Sequence, residues 1–171
     1  RQVREIQMRP YILVAEDDED DFQFFMESFE LSNTKYEVRW MKDGEECINF
    51  LHKQESNLSS ENFYLPNMIF LDLNMPRKNG LEVLREIRSN KSLHHIPVII
   101  LSSSNEREIV NQSYQFGVSA FIQKLPNRTQ FANNLDALIK FWFKVVQLPE
   151  SCEKNIKTTQ IRLKKNSAVT H

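Results

Sequence analysis

"MIFLDLNMPRKNGLEVLREIRSN", Met68 to Asn90, sets out a continuous apolar run, one acid, a turn-rich segment and then a helical segment, in that order. A strand with one wet face alternates apolar and polar residues, whereas a run that is apolar at every position needs cover on both faces. Asp72 closes the run, so a carboxylate is expected at the carboxyl end of a doubly covered strand. The segment "GLEVLREIRSN" supplies the helix that returns over it.

The same pairing recurs on either side. "YILVA" (11–15) is a first strand, followed by a helix whose Phe22, Phe25, Met26 and Phe29 recur at i, i+3, i+4, i+7 as one buried stripe. "YEVRWM" (36–41) alternates, as expected of a less buried strand near an edge, and "DGEECINFLHK" is the helix after it. Residues 56–66 are polar, closed by a proline and read as a surface loop. "PVIILS" (97–102) is another apolar strand, ending in hydroxyls, with Asn105 and Glu108 spaced as a capping box for the next helix. "VSAFIQK" (118–124) is the fifth strand. A last helix is expected over residues 129–147, with a seam at Phe131, Leu135, Leu138, Trp142 and Val145. Strand–helix alternation of this kind builds a parallel sheet through right-handed crossovers, so the expected fold is a doubly wound, five-stranded α/β domain. Ligands of such sheets bind outside the carboxyl ends of the strands, where the strand order reverses.

Composition narrows the partners. Over 171 residues, 22 Lys and Arg stand against 23 Asp and Glu, a formal charge of −1 that gives no global field to recruit nucleic acid or an anionic membrane. No run approaches the roughly 18 apolar residues of a membrane span. Cys47 and Cys152 fall outside any metal-ligand spacing and fit a reducing compartment, so a cytoplasmic protein is expected. Residues 1–9 read as a flexible arm, 10–149 as the folded domain, and 150–171 as a flexible polar tail.

The strand ends carry a coherent chemistry. They present Glu16, Asp17 and Asp18 after the first strand, Asp72 after the third, Ser102 after the fourth and Lys124 after the fifth. Carboxylates that converge repel each other unless a pKa rises or a hard cation binds, and this oxygen-rich set suits Mg2+. With the cation in place, Asp72 stays ionised and can attack phosphorus, while the Lys124 ammonium and the Ser102 hydroxyl contact phosphoryl oxygens. Within the six-acid run Glu16 to Asp21, the last three read as a solvated helix start favoured by the helix dipole, and Asp18 is open between the two roles. An EF-hand loop is excluded because Phe22 stands where the sixth position needs glycine.

On these residues, and above all on "DLNMPRKNG" (72–80), which has the pattern D-x-x-M-P-x-x-x-G, the chain resembles the receiver domains of two-component response regulators, with a flavodoxin-like (βα)5 fold. The resemblance covers about residues 10–147. It implies that Asp72 is the phosphoacceptor, that Glu16, Asp17, Asp72 and the backbone carbonyl of Asn74 hold Mg2+, and that Asp17 ligates directly while Glu16 acts through water. It further implies that Lys124 is the lysine of the site, that Ser102 is the switch hydroxyl and that Phe121 is the switch aromatic. Family members carry proline directly after the lysine, in a cis peptide; here Leu125 intervenes before Pro126, and a cis Lys124–Leu125 bond would cost about 2.5–4 kcal/mol.

The long loop before the third strand and the aromatic "FWFKVVQLP" end are similar to stand-alone regulators that partner cyanobacterial phytochromes. That likeness implies a sensor histidine kinase, a phytochrome, as phosphodonor. It also implies a homodimer through the face of the fourth helix, fifth strand and last helix, with no turnover substrate. Two alternatives stay open at this point. A phosphatase of the haloacid dehalogenase type shares the strand-end aspartate but uses D-x-D, where this chain has Asn74. An interaction module would work without phosphorylation.

Overall fold

Five short parallel strands form one sheet in the computed structural model, which describes residues 11–31, 36–56 and 65–148. In chain order the elements are β1 (Tyr11–Ala15), α1 (Glu19–Leu31), β2 (Glu37–Met41), α2 (Gly44–Ser56), β3 (Met68–Asp72), α3 (Gly80–Ser89), β4 (Val98–Ser102), α4 (Arg107–Gln115), β5 (Ala120–Gln123) and α5 (Arg128–Lys140), followed by a π-helical turn (Phe141–Val145). The strand order is β2-β1-β3-β4-β5, with every neighbouring pair parallel. This is the flavodoxin-like, doubly wound layout expected from the sequence, and its switch point lies between β1 and β3. The arm at 1–9, the tail at 150–171 with Cys152, and most of the loop at 56–66 fall outside the described residues.

Strand side chains alternate between faces, so each buried strand feeds two cores. Leu13, Ile69 and Ile100 pack in one cluster with Cys47, Leu51 and Leu84 of α2 and α3. Ile12, Phe70 and Ile99 pack in the other with Phe25 of α1 and Phe131 and Leu135 of α5. β1, β3 and β4 are buried at every position, as continuous apolar runs require, while β2 is the partly exposed edge its alternation foretold.

Three local expectations are corrected. Asn105 and Glu108 form no capping box: α4 starts after Glu106, without a side-chain cap bond. The three-serine run explains why, since Ser102 Oγ accepts from Ser104 N–H at 3.1 Å and Ser104 Oγ from Glu106 N–H at 3.3 Å, a local turn that competes with the helix start. In α1 only Phe25 and Phe29 of the expected stripe are buried, whereas Phe22 and Met26 are half-buried. The last helix keeps α geometry only to Lys140, and beyond it Val146 N–H reaches Phe141 O, five residues back. Within α5 the buried seam is Phe131, Leu135 and Ile139 in place of the expected Leu138, and at the end of the widened turn Val145 is 70% exposed. The Phe143 ring lies against Tyr36 with centroids 3.9 Å apart and planes tilted by 35°.

Candidate functional site

Pairing of Ala15 with Leu71 in the β1–β3 ladder brings the next residues of both strands, Glu16 and Asp72, to one edge of the sheet. Asp17 joins them, and each of the three offers a carboxylate oxygen within 4.8 Å of the others. From the far side of β4, Lys124 follows β5 and reaches over the edge. Its backbone N–H donates to Ser102 O at 2.7 Å, and its Nζ lies 2.6 Å from Glu16 Oε2, 2.8 Å from Asp21 Oδ2 and 2.9 Å from Asp72 Oδ1. A cavity of about 200 Å³ opens beneath, with Glu16, Asp21, Asp72 and Lys124 at its rim and Phe24, Phe25, Phe70 and Phe131 in its walls.

That apolar surround sets the electrostatics. Burial lifts the Glu16 carboxyl to about 7, against the opposing pull of Lys124, and the neighbouring Asp72 adds to the rise. For Lys124, burial alone would lower the pKa, but the carboxylates of Asp72 and Glu16 outweigh it and hold the ammonium above its ordinary range. One cation therefore faces more carboxylates than it can neutralise.

The loop after β3 is built to fix Asp72. Asn74 N–H donates to Asp72 Oδ2 at 2.7 Å, and Gly80 N–H closes the loop onto Leu73 O at 3.0 Å. A Cβ on Gly80 would overlap the backbone carbonyl of Asp72 and lie 3.0 Å from Leu73 Cα, which is the physical reason the motif ends in glycine. Between them Lys78 N–H donates to Pro76 O at 2.7 Å around Arg77, whose φ of 65° is left-handed. Arg77 pairs with the buried carboxylate of Asp43, which also caps α2 by accepting from Glu46 N–H at 2.8 Å. Gly80→Ala is expected to destabilise the protein by about 1–3 kcal/mol, the range for an added methyl in a packed site. A urea midpoint equal to wild type would contradict that.

The residues singled out from sequence are distributed as follows. Glu16, Asp17, Asp72 and Lys124 come together, and Asn74 stands exposed beside Asp72. Ser102 is fully buried at the end of β4, its hydroxyl engaged by Ser104 N–H. Phe121, on β5, is half-buried against the α2–α3 side core. Every peptide bond among the described residues is trans, the Lys124–Leu125 bond included. Of the run, Asp18 takes the helix-start role left open for it, and Asp21 departs from that role. Asp18 is the cap of α1, accepting from Asp21 N–H at 3.0 Å, and Asp21 turns its carboxylate onto Lys124. Helical periodicity placed Asp21 correctly in the first turn, but nothing local signals a partner 103 residues away.

The donor set fits a hard divalent cation: carboxylate oxygens from three residues, clustered and under-neutralised. The sequence profile described as "Response regulator receiver domain" matches residues 12–136. The chain belongs to that family.

As a receiver domain it has relatives along almost its whole described length. It is 35% identical over 138 residues to response regulator Rcp1 of Synechocystis sp., covering 81% of this chain and 92% of that protein. The structure of the phosphorylated cyanobacterial phytochrome response regulator RcpA superposes with a TM-score of 0.74 at 34% identity, over 83% of this chain and 99% of the other. The Mn2+-bound form of Rcp1 gives 0.73, also at 34% identity, over 82% and 99%. Membership sets aside the dehalogenase-type phosphatase, whose second motif acid is Asn74 here. Among the described residues, no helix is long and apolar enough to cross a membrane.

Proposed function

We propose that this receiver domain, residues 10–149, is a phosphorylation-controlled switch that takes a phosphoryl group from a sensor histidine kinase onto Asp72. The observation that carries the reading is the placement of Asp72 between Lys124 Nζ, 2.9 Å from Oδ1, and Asn74 N–H, 2.7 Å from Oδ2. This arrangement orients the Asp72 carboxylate at the cavity. In the transfer, an Asp72 oxygen attacks phosphorus, the donor's N–P bond breaks as the new O–P bond forms, and the leaving imidazole takes a proton from solvent. Lys124 is placed to follow the charge onto the phosphoryl oxygens. Glu16, Asp17, Asp72 and the Asn74 carbonyl would hold Mg2+, which when bound offsets charge on both the nucleophile and the transferring group. Both Glu16 oxygens are already engaged, by Lys124 and by Asp18 N–H, which favours Asp17 for direct ligation and Glu16 through water.

Switching follows from the local charge change at Asp72. Its phosphoryl group would accept from the Ser102 O–H and draw that hydroxyl away from Ser104 N–H, and the half-buried Phe121 would respond by turning inward, remodelling the α4–β5–α5 face. Exposed Tyr114 on α4 and Phe141 beyond α5 support that face, together with the C-terminal helix, as a homodimer contact. The similarity to phytochrome-associated regulators supports a phytochrome as kinase and a cytoplasmic location. The domain would load and slowly hydrolyse its own phosphoryl group, without a turnover substrate.

The test is incubation with acetyl phosphate and Mg2+, followed by intact mass. A gain of one phosphoryl group is expected, and none would overturn the reading. Phosphotransfer profiling against histidine kinases, a phytochrome included, then identifies the donor, while a dimer that forms equally well in Asp72→Ala would favour a phosphorylation-independent module. The raised pKa of Glu16 adds a pH dependence: below about 7 its proton competes with the cation, so affinity rises as the group ionises. Mg2+ should bind about tenfold more tightly at pH 8 than at pH 6, measured by calorimetry. Equal affinities would show that Glu16 does not take part.

A further inference from the structure

Asp17 lies beyond the end of β1, so the sheet's own ladder does not hold the peptide that carries it. Two hydrogen bonds with β2 hold the peptide units on either side of Glu16, the second of them the unit that carries Asp17. Glu16 N–H donates to Met41 O at 3.0 Å, and Trp40 Nε1–H donates to Glu16 O at 2.7 Å. A peptide unit is planar, so holding the Glu16 carbonyl fixes the plane of the Glu16–Asp17 bond and the direction in which Asp17 leaves the strand. The indole is itself held. Its ring stacks on Phe22 of α1, with centroids 4.2 Å apart and planes 3° from parallel, and the Lys42 ammonium lies 4.9 Å from its centroid. β2 and the first turns of α1 thus grip the same ring, on either side of the loop that bears Asp17 and Asp18.

We propose that Trp40 is a positioning residue for the divalent cation: by donating to Glu16 O, it presets Asp17 for ligation without touching the ion. An indole N–H is only a donor, and the strand-end carbonyl is the acceptor it needs. Partners of this kind, one step removed from a metal, change its affinity by about 10–100-fold when lost. The inference rests on the reading that Glu16, Asp17 and Asp72 hold Mg2+.

Trp40→Phe separates the two jobs of the ring, since it keeps an aromatic face for Phe22 and removes the donor. Calorimetric titration of the full chain with MgCl2 is expected to show about tenfold weaker binding in Trp40→Phe than in wild type. With acetyl phosphate, the Mg2+ concentration for half-maximal phosphorylation should rise by the same factor, while the rate at saturating Mg2+ stays at the wild-type value. Mg2+ affinity within twofold of wild type overturns the proposal, as does a lower saturated rate with unchanged affinity. Should circular dichroism show Trp40→Phe unfolded, Phe22→Leu takes its place, loosening the ring but sparing the donor. A smaller loss of affinity is then expected, and none overturns the inference. Wild-type protein that fails to bind Mg2+ at all overturns the cation reading itself, an outcome distinct from equal binding by wild type and variant.

Discussion

Asp72→Asn is expected to abolish phosphoryl incorporation from acetyl phosphate while leaving the protein folded. The amide nearly matches the carboxylate in shape, and its oxygen can still accept from Asn74 N–H, which lies 2.7 Å from Oδ2 in the wild type, while Lys124 gives up its contact to Oδ1 and keeps Glu16 and Asp21. What it lacks is the anionic nucleophile. It also removes one negative charge from a rim where Glu16, Asp21 and Asp72 share the Lys124 ammonium. The urea midpoint of the metal-free variant should therefore equal or exceed that of wild type, in contrast to most substitutions at a buried polar site. Intact mass after incubation with the donor and Mg2+ decides the first point. A phosphoryl gain in Asp72→Asn comparable to wild type would move the acceptor elsewhere, with the exposed Asp17 the neighbour to examine first. A loss of incorporation accompanied by unfolding would be uninformative about chemistry, which is why the midpoint is measured on the same sample.

How far the site could be read from sequence depended on which physical rule governed each residue. The β3 run from Met68 to Asp72 is apolar because both its faces are covered, and that rule acts on adjacent residues, so strand, sheet type and strand-end acid were all legible. Glu16 and Lys124 were legible for the same reason, each following a strand. Asp21 was not, because its partner is chosen by how α1 lies against the β5–α5 loop, a tertiary fact that leaves no periodic trace. Trp40 read only as one position of an alternating edge strand, since the acceptor of its N–H is a backbone carbonyl, which any sequence provides. The misread start of α4 came from serine hydroxyls that serve turns as readily as caps, and the misread end of α5 from a change of helical pitch that a fixed period cannot represent.

Lys124→Met should show how much of the site depends on one ammonium. Methionine keeps most of the apolar stem, so packing against the aromatic walls of the cavity is largely retained while Glu16, Asp21 and Asp72 lose their shared cation. Removing one partner of a buried ion pair costs about 3–5 kcal/mol, because the charge left behind is neither solvated nor paired. Here that penalty falls mainly on Glu16 and Asp72, whose side chains are 6% and 8% exposed, whereas Asp21 is 51% exposed and can turn to water. Urea titrations in chelator should therefore show a large loss of stability, and Mg2+ should restore part of it by replacing the missing positive charge. Phosphorylation should not recover with it. The ammonium proposed to follow charge onto the phosphoryl oxygens is gone at any Mg2+ concentration, and loss of one such contact is worth about 10²–10³ in rate. Rates equal to wild type at saturating Mg2+ would mean that Lys124 is a structural cation only. A double-mutant cycle with Asp21→Asn then isolates the contact that sequence did not reveal. If Asp21 acts through Lys124, its substitution changes the phosphorylation rate in the wild-type background and has no further effect in Lys124→Met.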